Sequence, residues 1–231
     1  MSLLSPLSLQ DFLAFAWFIA VWAGYAWYSR NASLRGVTLL AATNAWRRQW
    51  MAQASARDPR ILDGVITQSL SHSPSFFASA TMIVIGGVLA LLGAMDRAAE
   101  LVQDMPFVVP TSRAALEIKV VVLAGIFTFA FFRFTWSIRQ YTFVALMIGA
   151  MPAPREFESG AVDRQAYVDR AAALAGSAAE TFNDGVRAYY FAFAALAWFF
   201  SPLGLAVASA LVAAVLYGRE FHSGVLGMLR D

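Results

Sequence analysis

The side chains of this sequence best suited to chemistry sit in two short stretches, FRFTWSIRQY at 132–141 and TFNDGVRAYY at 181–190. The first carries Arg133, Trp136, Arg139 and Gln140; Arg133, Trp136 and Gln140 are three and four apart, a spacing that groups them on one helix face. Arg133 and Arg139 read first as anchoring arginines that snorkel to the interface, and second as guanidiniums that need a carboxylate, a backbone carbonyl or a bound anion. The second stretch carries Asn183, Asp184, Arg187, Tyr189 and Tyr190. Asp184 is a possible partner for an arginine of the first stretch, with Arg139 as the pairing considered. Asn183 and Asp184 also suit the start of a helix, which their side chains would cap. Tyr189 and Tyr190, directly after Arg187, read first as an interfacial aromatic belt and second as ligand contacts.

Other chemistry finds little to work with. The chain has no cysteine, which removes thiol nucleophiles, disulfides and cysteine metal sites together. Its two histidines, His72 and His222, are expected on opposite sides of a membrane, so neither a bis-histidine haem nor a histidine-rich zinc site is expected. Ser79, Ser137, Ser201 and Ser209 are expected to bond the backbone of their own helices, as hydroxyls in apolar helices do. No P-loop pattern occurs, and Gly86 and Gly87 fall mid-helix. Neither an enzymatic role nor a cofactor is expected. Net charge is only +2 and the basic residues are scattered, so no nucleic-acid partner is expected either.

The elements that must position these residues are membrane helices. Of 231 residues, 59% are hydrophobic and 14% charged, far from the balance of a soluble domain. Four spans of about 20 residues account for the apolar regions: about 9–28, 76–95, 118–138 and 188–217. Helical cytoplasmic segments at about 36–73 and 139–186 complete a single integral membrane domain, an all-α bundle. No basic n-region or A-x-A site marks a cleaved signal, so residues 9–28 are expected to stay as the first span. Trp27 and Tyr28 precede Arg30 as a belt would, and Trp46 and Trp50 share a face beside Arg47 and Arg48, as in a helix lying on a membrane surface. Ser73 and Pro74 form an N-cap and first-turn pair for the second span. Along that span Ala78, Met82, Gly86, Ala90 and Ala94 fall four apart, a ridge of mostly small residues that lets another helix approach closely. Residues 141–151 continue the apolar run, either re-entrant or as part of one long helix. Pro202 is expected to kink the last span.

With four spans, the segments after the first and third share one side and carry eleven Lys and Arg against five on the other. That bias orients the charged side toward the cytoplasm of an inner membrane, with both termini periplasmic. Arg133 then lies near the cytoplasmic end of its span and Arg139 beyond it.

Three stretches, SHSPSFFASATMIVIGGVLALLGA, FRFTWSIRQYTF and TFNDGVRAYYFAFAALAWFFSP, resemble the bacterial and plant membrane proteins of domain-of-unknown-function family 599. The resemblance covers about residues 10–221 and implies a four-span integral membrane protein. It brings no established reaction, ligand or catalytic residue. The function expected is a homo-oligomeric structural or binding component of the inner membrane, in contact with membrane lipids and with anions or anionic headgroups. The second reading is a homo-oligomeric ion channel, anion-selective, with Arg133, Arg139 and Arg187 repeated about its cytoplasmic mouth.

Overall fold

Local sequence signals decide where each helix starts. In the computed structural model, which describes residues 7–95 and 112–230, helix α1 (Leu9–Leu34) begins at a capping box in which Ser8 Oγ accepts from the Asp11 amide and the Asp11 carboxylate accepts from the Ser8 amide. Thr38 caps α2 (Leu39–Ser55), Ser112 caps α4 (Arg113–Gly149), Asp163 caps α6 (Arg164–Leu196) and Ser201 caps α7 (Pro202–Phe221). Helix α3 runs Ile61–Gly93, α5 is the short Pro154–Glu158, and α8 is Gly224–Arg230. A 3₁₀ turn, Ala197–Phe199, separates α6 from α7. Among the described residues there is no strand, and four helices are long and apolar enough to cross a membrane: α1, α3, α4 and the stretch Pro202–Arg230.

Helix α4 is the axis, packing on α3 along one side and on α6 along the other. Its 37 residues extend roughly 55 Å, well beyond a hydrocarbon layer of about 30 Å. The question left open at 141–151 is therefore answered: that segment is the end of one rod, which buries Val144 and Ile148 against Met51 of α2 and Val168, Ala171 and Ala175 of α6. Further along α4, Phe18, Phe127, Ala130, Phe134, Phe191 and Ala195 fill the apolar layer.

Several expectations are corrected. Ser73 and Pro74 do not start a helix; α3 runs through them from Ile61, with Pro74 inside it. The second helical pattern and the second span are thus one rod. Asn183 and Asp184 are mid-helix in α6 rather than at a helix start, because the cap is Asp163, five turns earlier. Of the ridge on α3, Ala78 is buried in the core while Met82, Gly86, Ala90 and Ala94 are exposed among the described residues, leaving that face open to another helix; α3 meets the core through Ala78, Val84, Ile85 and Val88.

The largest correction concerns residues 188–217. They form no single kinked span: residues 188–196 end α6, and α7 folds back antiparallel to it, so that Tyr190 of α6 meets Arg219 of α7. Pro202 acts at the first position of α7 rather than inside a helix. The fold-back carries α8 to the α2 end of the bundle, where Trp46 Nε1 donates to the Leu229 carbonyl at 3.0 Å. Asp11, at the start of α1, lies at the other end with Lys119 and Trp198. The two ends of the described chain therefore lie at opposite ends of the bundle. His222 also falls at the α2 end, beside Tyr217, so topology does not separate it from His72.

Candidate anion site at the membrane interface

Two polar levels bound the apolar layer. At one, Lys119 Nζ sits 3.6 Å from Asp11 Oδ1, and Trp198 Nε1 donates to the same oxygen at 2.8 Å. At the other, Arg133 of α4 pairs with Asp184 of α6, Arg187 Nη1 donates to Asp184 Oδ1 at 3.0 Å, and Arg30 of α1 pairs with Glu180 at 3.1 Å. Fourteen residues of α4 separate Lys119 from Arg133, roughly 21 Å of rise. Of the 16 basic residues among the described residues, 14 lie at the Arg133 level or beyond it toward α2.

At that second level a cavity of about 660 Å³ opens between α3 and α7, floored by α6 and roofed by α2. Its walls carry Arg47, Arg187 and Arg219 against a single acid, Glu220, with Tyr25, Tyr141, Tyr190, Ser69, Ser73, Thr43 and Asn183. Glu220 is engaged, accepting from the Leu40 amide at 3.3 Å. Arg219 donates to the Tyr190 hydroxyl. Arg47 Nη1 donates to Thr43 Oγ1 and Asn44 Oδ1, both at 2.9 Å, and among the described residues no carboxylate lies within ion-pair distance of it. Burial pushes the Arg47 guanidinium down from the usual arginine range, yet arginine stays charged at neutral pH. A half-buried guanidinium without a carboxylate partner is a place where a bound anion gains a charge-assisted hydrogen bond.

The residues singled out in the sequence divide. Arg133, Asp184 and Arg187 come together, and the partner of Asp184 is Arg133, not Arg139. Arg139 is exposed and lies over Phe143 of its own helix. Trp136 is exposed while Gln140 is buried and donates to Ser177 Oγ at 2.7 Å, so Arg133, Trp136 and Gln140 do not work as one face. Asn183 and Tyr190 line the cavity. Tyr189 is no belt residue: it sits among Phe77, Phe127 and Phe134, its hydroxyl 2.7 Å from Thr81 Oγ1. Ser137 bonds the Ala178 carbonyl of α6 rather than its own helix, whereas Ser209 does bond its own. Arg47, Arg219 and Tyr141 were missed as site residues. Arg47 beside Trp46 and Trp50 reads as surface anchoring, and taking residues 188–217 as one span puts Arg219 at the end of the bundle opposite to α2.

These features define a multi-span helical membrane protein with an apolar bundle at one end and a basic, helix-built layer at the other. The chain belongs to the family described as "Protein of unknown function, DUF599", which it matches over residues 13–225. Comparison with curated proteins and with solved structures finds no match.

Proposed function

We propose that this protein is an inner-membrane binding component that holds a small organic anion, a carboxylate or phosphate, in the cavity between α2, α3, α6 and α7. The observation that carries this reading is Arg47, a half-buried guanidinium on a cavity wall without a carboxylate partner among the described residues. The cavity has the volume of small-ligand sites and their mixture of aromatic walls with a few polar groups. The basic end faces the cytoplasm on this reading, following the positive-inside bias, which the placement of Arg219 and Arg230 beside α2 strengthens. Helix α1 then starts on the periplasmic side and α8 lies on the cytoplasmic side. Binding is preferred to conduction because Phe18, Phe127, Phe134 and Phe191 fill the layer between the two polar levels. An ion path would therefore need the axis of a homo-oligomer.

The test is thermal unfolding of the purified protein with citrate or inorganic phosphate at constant ionic strength. Wild type is expected to gain several degrees in Tm while Arg47→Gln and Arg219→Gln lose that gain. No shift in wild type, or an equal shift in Arg47→Gln, removes the reading.

A further inference from the structure

A second cavity, of about 330 Å³, lies on the other side of α6, between α1 and α4. Helix α1 is held off its neighbours by rings: Trp22 sits edge-on to Phe129 with centroids 5.8 Å apart and stacks on Phe191 at 5.3 Å. The gap this leaves is aromatic toward the apolar layer, where Trp22 and Phe129 line it, and cationic at the polar level, where Arg30, Arg133 and Arg187 line it. Three guanidiniums meet two carboxylates: Glu180 pairs with Arg30 from beside the cleft, and Asp184 within it serves both Arg133 and Arg187, which leaves one positive charge in excess. Asp184 has spent both oxygens, one on Arg133 and the other on Arg187. Arg133 Nε is buried and has no hydrogen-bond partner among the described residues. Trp27, on the rim, is 69% exposed at this same interfacial level.

We propose that this cleft is a binding site for an anionic phospholipid, with its phosphate on Arg30, Arg133 and Arg187 and its acyl chain descending along Trp22 and Phe129. The setting decides the occupant: guanidiniums line the cleft at the polar level and Trp22 and Phe129 line it toward the apolar layer, the order in which a phospholipid presents its phosphate and its acyl chain. Its charge decides the lipid class, because the excess of guanidinium over carboxylate favours a headgroup with net negative charge over a zwitterionic one. The occupant enters sideways from the bilayer, and the site shares only Arg187 with the larger cavity.

The experiment is native mass spectrometry of the full chain released from nanodiscs containing phosphatidylglycerol and phosphatidylcholine in equal parts. Wild type is expected to retain phosphatidylglycerol preferentially, and Arg30→Gln, which leaves the Arg133–Asp184 pair in place, to retain it about five-fold less. Arg133→Gln is expected to lose it further, and Arg47→Gln, outside the cleft, to retain it as wild type does. Equal retention of the two lipids, or unchanged retention in Arg30→Gln and in folded Arg133→Gln, overturns the site. Release of phosphatidylglycerol by millimolar inorganic phosphate overturns the lipid as its occupant in favour of a free anion.

Discussion

The ammonium of Lys119 donates to the carbonyl oxygen of Trp198 at 2.9 Å, in the 3₁₀ turn between α6 and α7. The extended Ser201 breaks the helix there, so no amide one turn on continues the ladder to this carbonyl. Lys119 supplies a donor in its place, and Asp11 neutralises it while accepting from the Trp198 indole. One buried cluster thus ties α1 and α4 to the turn between α6 and α7. Lys119→Met is expected to cost about 3–5 kcal/mol, since it strands the Asp11 carboxylate and the Trp198 carbonyl together. Thermal unfolding in detergent measures it, and the double variant with Asp11→Asn is expected to be less damaged than Lys119→Met alone.

Because the native chain has no cysteine, topology can be read with single introduced thiols. Ala114→Cys and Gly227→Cys, both at exposed positions, are expected to react with a membrane-impermeant maleimide from opposite sides of the membrane, Ala114→Cys in intact spheroplasts and Gly227→Cys only after lysis. Labelling of both from one side would contradict the fold-back of α7.

Arg60 closes two helix ends at once. Its guanidinium donates to the Ala54 carbonyl at the end of α2 (3.0 Å) and to Met151 (2.9 Å) and Pro152 (2.6 Å) just beyond α4. A cation at two helix C-termini also meets the negative ends of both dipoles. Arg60→Gln is expected to destabilise the basic layer by about 2 kcal/mol and to make the 150–153 connection faster to cleave in limited proteolysis, while the apolar layer keeps its helicity by circular dichroism.

Close packing of α4 on α6 depends on Gly185. A Cβ there would stand 2.5 Å from Phe134 Cε1 and 2.7 Å from Cδ1, against a ring that is fully buried. Gly185→Ala is expected to cost about 1–3 kcal/mol of stability, and Phe134→Leu in the same background to recover part of it. A wild-type Tm for Gly185→Ala would show that the ring moves freely.

At the far end of the layer, the Tyr167 hydroxyl donates to the Met147 carbonyl at 2.6 Å, and burial raises its pKa above the ordinary tyrosine value. A raised folded-state pKa means the folded chain holds this proton more tightly than the unfolded one. The contribution is complete below the unfolded value of about 10 and is lost as pH climbs through the folded value. Tyr167→Phe is expected to flatten the alkaline limb of a stability-against-pH curve and to remove one late-titrating phenol from the ultraviolet difference spectrum.

The bundle was legible in the sequence where composition alone decides, as in α1 and the charge-free part of α3. It was less legible where a local signal competes with a long-range one. Ser73 and Pro74 carry a strong start signal, yet the apolar pattern from Ile61 onward lets α3 run through them. The end of α6 was harder still, since the apolar residues on both sides of SPLG look like one kinked span. Only the Ser201 cap, with its side chain accepting from the Gly204 amide, reveals two helices. That misreading hid Arg219 from the site. Arg133, Asp184 and Arg187 were visible as candidates, but the choice between Arg133 and Arg139 rests on the register of α4 against α6, which no single sequence encodes locally.

The hairpin of α6 and α7 also bears on how the protein is made. Helix α6 is absent from the helices apolar enough to cross a membrane, being rich in alanine and bearing Glu180, Asp184 and Arg187. The apolar part of α6, from Ala188 to Leu196, is far shorter than the roughly 20 residues a span needs, so a translocon meeting α6 alone has little reason to release it into lipid. Its partners lie earlier and later in the chain: Arg133 on α4, Arg30 on α1 and the apolar α7. Insertion of α6 therefore waits on α7 and on an assembled α1, α3 and α4, and a ribosome stalled before residue 202 would leave an intermediate for quality-control proteases to find.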